Sequence, residues 1–111
     1  MTDVDRKFLF DILTAVELIE SFTESIGSFH KYLADIKTRS AVERQLGIIG
    51  EAVNKYDLLN QPLTLVNARK IVGFRNRLIH TCDAIDQSII WAIINNHIPL
   101  LKDEVQKKLG K

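Results

Sequence analysis

One apolar seam constrains this chain more than any other feature. In RSAVERQLGIIGEAVNKY, the residues Val42, Leu46, Ile49, Val53 and Tyr56 step by four, three, four and three. That rhythm belongs to a helix packed lengthwise against others, with the near-3.5 period of an antiparallel bundle. The segment before it repeats the signal. Behind Thr2 or Asp3 as a cap, Phe8, Ile12, Ala15, Ile19 and Phe22 recur at spacings of three and four.

The breaks between helices are equally legible. SIGSF, with Gly27 between two serines, stops the first helix and starts a fresh one, so FHKYLAD forms one or two helical turns. Thr38 or Ser40 can open the seam helix, and LNQPLT with Pro62 ends it. A third long helix is expected from about Thr64 to His80, burying Leu65, Ala68, Val72 and Leu78. Asp83 and Asp86 are candidate caps for a fourth, which carries Ile89, Ile90, Ile93, Ile94, Leu100 and Leu101. Pro99 is expected to kink it, and LKDEVQKKLGK gives it a basic end that suits its dipole. No run resembles a strand. The expectation is an all-α, antiparallel up-and-down bundle of about four main helices, a single domain over residues 1–111.

Composition sets outer limits. With 46% hydrophobic and 26% charged residues, the 111-residue chain can build a modest core and is not of the disordered type. Charges interrupt every apolar run, so no membrane span is expected. The acidic, polar start MTDVDRKFLF does not look like a secretion signal, and the expected location is the cytoplasm. The lone Cys82 excludes an internal disulfide and a cysteine-based zinc site. His30 and His97 lie far from His80, and no His/Asp/Glu grouping has ligand spacing, so neither metal nor cofactor is expected.

Gly47 and Gly50 interrupt the seam helix, where each costs about 1 kcal/mol relative to alanine. They suggest a close helix approach, within the subunit or across a dimer, and the within-subunit version is preferred. Glu51 reads as a structural partner for a cation or a helix end, and Trp91 as core or interface.

The charge distribution singles out GFRNRLIHTCDAID. Net charge is +1, yet between Asp57 and Asp83 there is no acidic residue, while Arg69, Lys70, Arg75 and Arg77 fall there. These four charges leave +1 − 4 = −3 for the rest of the chain. Arginine offers a permanent charge and a planar fork that matches phosphate oxygens. A histidine titrating near neutrality can take a proton from a ribose 2′-hydroxyl or return one to a leaving oxygen. Asn76, four residues before His80, shares its helix face and could orient the imidazole or bind a sugar hydroxyl. Arg75 and His80 are five apart and point about 140° away from each other on a straight helix. One helix therefore cannot aim both at a small ligand, although two copies meeting across a dyad could. On these residues alone, a solvated helix face and a phosphodiester site both stay open.

The wider pattern resembles a known family. GFRNRLIHTCDAID is similar to the Arg-x4-His motif of the HEPN superfamily, and the chain looks like its HepT toxin-like branch. RSAVERQLGIIGEAVNKY resembles that branch's second helix, and IIWAIINNHIPLLKDEV its last, including the Trp and the Ile-Pro-Leu step. The resemblance implies an all-helical homodimer with its motifs facing each other in a metal-independent endoribonuclease cleft. It also implies a toxin of a type VII toxin–antitoxin system, with an MntA-like nucleotidyltransferase as antitoxin and RNA as substrate. Carried over by position, Arg75 and His80 become catalytic, and Asn76 and Arg77 contact substrate.

One position departs from the family. Its toxins typically read Arg-x4-His-x-Tyr, and the antitoxin adds AMP to that tyrosine; here the position is Cys82. Control by binding alone, modification elsewhere, and a member that is no longer a toxin all follow as possibilities. Tyr32 and Tyr56 are the only tyrosines, and Tyr56 belongs to the buried seam. The alternative reading is a non-catalytic helical subunit that partners a minimal nucleotidyltransferase.

Overall fold

The computed structural model describes residues 1–69, 71–73 and 86–110. Within them lie five helices and no strand: α1 Asp3–Thr23, α2 Phe29–Ala34, α3 Ile36–Leu59, α4 Gln87–Asn96 and α5 Ile98–Lys108. Residue 69 and residues 71–73 are also helical.

Thr2 rather than Asp3 caps α1, because it forms a reciprocal pair with Asp5. The Asp5 amide donates to Thr2 Oγ1 at 3.1 Å, and the Thr2 amide donates to Asp5 Oδ2 at 3.2 Å. Two otherwise orphaned amides are thus satisfied, and Asp3 and Asp5 place negative charge at the positive end of the helix. Leu9, Ile12, Leu13, Val16 and Ile19 form its buried stripe, while Phe8 and Phe22 are half-buried against the core. All five seam residues of α3 are buried opposite it. Asn60, just past the end of α3, bonds to Asp5 near the start of α1, so the two long helices run antiparallel. From α5, Leu101 and Val105 complete the core, and Lys102 reaches Glu20 on α1 at 2.8 Å.

Four expectations need correction. The seam helix opens at Ile36, earlier than Thr38 or Ser40, because Asp35 accepts from the Thr38 amide at 3.0 Å and from its hydroxyl at 2.7 Å. The same Asp35 closes α2, its own amide donating to Tyr32 O. The stretch after Pro62 is not helical from Thr64: residues 64–66 are irregular, 67–68 form a turn, and among the described residues the first helical bond there runs from the Val72 amide to Ala68 O. Pro99 does not kink one helix. The helix ends at His97, whose amide still bonds to Ile93 O, and a second begins with Pro99 in its first turn, where a missing N–H costs nothing. The break changes the phase, so Leu101 is buried while Leu100 is 54% exposed.

The fourth correction concerns Gly47. A Cβ built there meets nothing within 4 Å among the described residues, so this glycine marks no close approach between them. It instead opens a surface groove between α1 and α3, floored by Phe8, Ile48 and Ala52. Gly50, by contrast, is buried.

Candidate functional site

The expected site residues Arg75, Asn76, Arg77 and His80 lie outside the described residues, as do Leu78, Cys82 and the candidate cap Asp83. The described residues on either side of them are fastened to other helices.

At the leading end, three consecutive backbone amides are received by carboxylates from two other helices. The Leu65 amide donates to Asp57 Oδ1 at 2.9 Å. The Val66 amide donates to Glu104 Oε2 at 2.9 Å, and the Asn67 amide to Glu104 Oε1 at 3.0 Å. Asn67 Nδ2 adds a fourth bond to Glu104 Oε1 at 3.1 Å. A charged acceptor makes such bonds shorter and roughly twice as strong as neutral ones. Leu65 and Ala68 are buried beneath them, so the turn is fastened from below by apolar contact and from the side by charge.

Bringing two carboxylates to one turn has an electrostatic cost. Asp57 is held above the ordinary carboxylate range, first by burial and also by the nearby charge of Glu104. The Leu65 amide, Lys108 and Arg69 oppose that rise. Beside the turn lies a cavity of about 290 Å³, lined in part by Asn54, Asp57, Thr64 and Arg69.

At the trailing end, Asp86 caps α4, accepting from the Ser88 amide at 2.9 Å and from its hydroxyl at 2.5 Å. These bonds keep its carboxyl below the ordinary range. Gln87 Nε2 donates to Glu43 Oε2 on α3 at 3.0 Å. Near this contact, Tyr32 is fully buried, with its ring 5.2 Å from the centroid of Trp91, which also faces Phe29 at 6.4 Å. Burial, together with the charge of Glu43, pushes the Tyr32 hydroxyl well above its ordinary value. Trp91 is thus a half-buried member of an aromatic cluster on the core. With Tyr56 at 5% exposure, neither tyrosine of the chain presents its side chain to solvent as a replacement for the one missing at Cys82.

The remaining candidates fall on the surface. Glu51 pairs with Lys55 at 3.5 Å, one turn along α3. His30 is exposed on α2, and His97 separates α4 from α5. Among the described residues, no group of three His, Cys, Asp or Glu side chains could hold a metal ion. No helix among them is long and apolar enough to cross a membrane.

Sequence reasoning missed Asp57 and Glu104. Their partners are backbone amides, which carry no sequence signal, and Glu104 stands 38 and 37 residues from the two amides it receives.

Comparison with known proteins places this frame in context. The family model described as Ribonuclease HepT-like matches residues 12–107. A Thermococcus cleftensis protein named "Probable ribonuclease HepT" is 37% identical over 106 residues, covering 92% of this chain and 93% of that protein. A candidate RNase of Methanocaldococcus jannaschii is 38% identical over 96 residues, covering 85% of this chain and 78% of its own. A candidate RNase of Caldanaerobacter subterraneus is 34% identical, with 96% and 95% covered. No solved structure matches the chain.

Proposed function

Because this chain belongs to the ribonuclease HepT-like family, of HEPN type, we propose that it is a metal-independent endoribonuclease acting through Arg75 and His80. The observation that carries the reading is that the family match spans the basic window containing Arg75-x4-His80. In this reading, His80 removes the proton from a ribose 2′-hydroxyl. The freed oxygen attacks the adjacent phosphorus, and the bond to the 5′-oxygen breaks. That leaving oxygen takes up a proton, and the upstream fragment keeps a 2′,3′-cyclic phosphate. Arg75 binds the phosphate and stabilises the charge that gathers on it, while Asn76 and Arg77 contact the RNA chain. The five-residue offset of Arg75 and His80 is met by a homodimer whose two motifs share one cleft. The chain acts as a single domain in the cytoplasm, as a type VII toxin restrained by an MntA-like nucleotidyltransferase.

His80→Ala should abolish RNA cleavage in the presence of EDTA and relieve growth inhibition, with the protein still folded. Equal RNA degradation by wild type and variant would remove the catalytic assignment. A second reading is favoured by one observation, Cys82 at the position of the family's AMP-accepting tyrosine. There the protein is a binding subunit that co-purifies with a nucleotidyltransferase and leaves RNA intact.

A further inference from the structure

We propose that the cavity of about 290 Å³ between α3 and residues 64–69 binds the base of a guanine nucleotide, with Asp57 reading the base edge and Arg69 receiving the phosphate. The choice of a nucleotide rests on the ribonuclease reading; the cavity and its chemistry do not.

Its size suits one nucleotide rather than a chain of them. Pockets for small molecules run from about 300 to 1,000 Å³, so this one lies at the small end of that range. Val53 on α3, with Leu65 and Ala68 further along the chain, supplies apolar lining, and none of the three is more than 2% exposed. Fixed apolar walls of this kind suit the faces of a flat ring.

Asp57 supplies the reading group. Its Oδ1 receives the Leu65 amide at 2.9 Å, while Oδ2 accepts no hydrogen bond among the described residues. A carboxylate oxygen has two lone pairs and can take two donors. Among the four RNA bases, guanine alone sets two donors side by side on its pairing edge, N1–H and N2–H. Adenine, cytosine and uracil each place an acceptor beside their donor, which a carboxylate repels. Asn54, which also lines the cavity, carries an amide that can donate to the neighbouring O6. Burial is the main reason that the Asp57 carboxyl lies above its ordinary range, so donors brought by a ligand stabilise a charge that solvent serves poorly.

Arg69 completes the site from outside. It is exposed, makes no ion pair among the described residues, and lies near enough to Asp57 to act on its charge. A permanently charged fork beside an apolar cavity matches the phosphate of a nucleotide whose base is inside. The groove between α1 and α3 lacks this arrangement, because its carboxylates Asp11 and Glu51 already pair with Lys7 and Lys55 along their own helices.

Backbone-amide NMR on the full chain, titrated with the 5′-monophosphates of guanosine, adenosine, cytidine and uridine, tests the site. The guanosine nucleotide is expected to shift the Leu65 and Ala68 amides and to bind about fivefold or more tighter than the other three. Asp57→Asn keeps an oxygen for the Leu65 amide but turns an N–H towards the base. It should raise the dissociation constant of the guanosine nucleotide about tenfold, with the chain still folded. Arg69→Gln should weaken the nucleotide about five- to tenfold and leave unphosphorylated guanosine unchanged. Lys55→Gln, in the other groove, should alter neither. Absence of binding, equal affinity for all four nucleotides, shifts confined to residues outside 53–73, or unaltered binding in Asp57→Asn would overturn the proposal. If the guanosine nucleotide binds as expected but wild type cleaves RNA no better than His80→Ala, the ribonuclease reading falls and the binding site stands. Cleavage that depends on His80, without nucleotide binding at the cavity, has the reverse meaning.

Discussion

Asn60 Nδ2 donates to Asp5 Oδ1 at 2.9 Å and to Tyr56 O at 2.8 Å, tying the start of α1 to the end of α3 across 55 residues. The contact joins a helix start to a helix end: Asp5 completes the first turn of α1, and Asn60 occupies one of the last free carbonyls of α3. The antiparallel register of the two long helices is therefore fixed at a polar point as well as along the apolar seam.

This pair makes stability depend on acid. The Asn60 side chain is the leading reason that the Asp5 carboxyl lies below its ordinary value of 3.8, followed by the Thr2 amide. A lowered carboxyl pKa contributes stability that is present above the ordinary value and lost as pH falls through the folded value. Asn60→Ala should lower the melting temperature at neutral pH and flatten its fall below about pH 4. Parallel melts of wild type and variant across that range check it, and an identical acid slope would contradict it.

Asp57 carries the opposite sign. Its raised pKa means that the folded state resists the charged form, so its contribution grows as pH falls from neutral towards 3.8 and is lost as pH rises through the folded value. Asp57→Asn keeps an oxygen for the Leu65 amide and removes the charge. It should melt at or above the wild-type temperature near pH 7. Asp57→Ala leaves that amide without its acceptor and should cost about 1–3 kcal/mol in denaturant titrations.

Gly47 offers a gain. It lies inside α3, and an added methyl would meet nothing within 4 Å among the described residues. Gly47→Ala should stabilise the chain by about 1 kcal/mol, seen as a shift in the denaturation midpoint. A marked loss of stability would place another surface against the groove, and light scattering on the same samples would show whether that surface is a second copy.

The buried Tyr32 hydroxyl has no hydrogen-bond partner among the described residues. Replacing it with phenylalanine removes an oxygen held away from water and keeps the ring on Trp91. Tyr32→Phe should therefore be neutral or stabilising by up to about 1 kcal/mol. Calorimetry would reveal a contrary loss directly.

The seam is where sequence and structure agree most fully. Val42, Leu46, Ile49, Val53 and Tyr56 announce themselves because burial acts on side chains, and side chains are what a sequence lists. The helix starts were less legible. Asp35 outcompetes Thr38 and Ser40 because it serves two helices at once, and that depends on where α2 ends rather than on local preference. Leu100 looked apolar enough to be core, but the restart after His97 turned it outward. The stretch 65–67 permits helix by sequence, while its actual bonds go to Asp57 and Glu104 in other segments. For the motif, a basic window and a spacing are visible, and the chemistry proposed for them rests on the family resemblance rather than on the spacing.

The corner at Asp35 has a consequence for how such chains can vary in length. One residue ends α2 and begins α3, so there is no slack between the two helices. An inserted residue would turn the short helix by about a quarter of a revolution and carry Tyr32 away from Trp91. The bend at 24–28 has no such double duty, with Ser25, Gly27 and Ser28 all exposed. Relatives longer than this chain should therefore carry their extra residues at that bend and keep the Asp35 corner free of them.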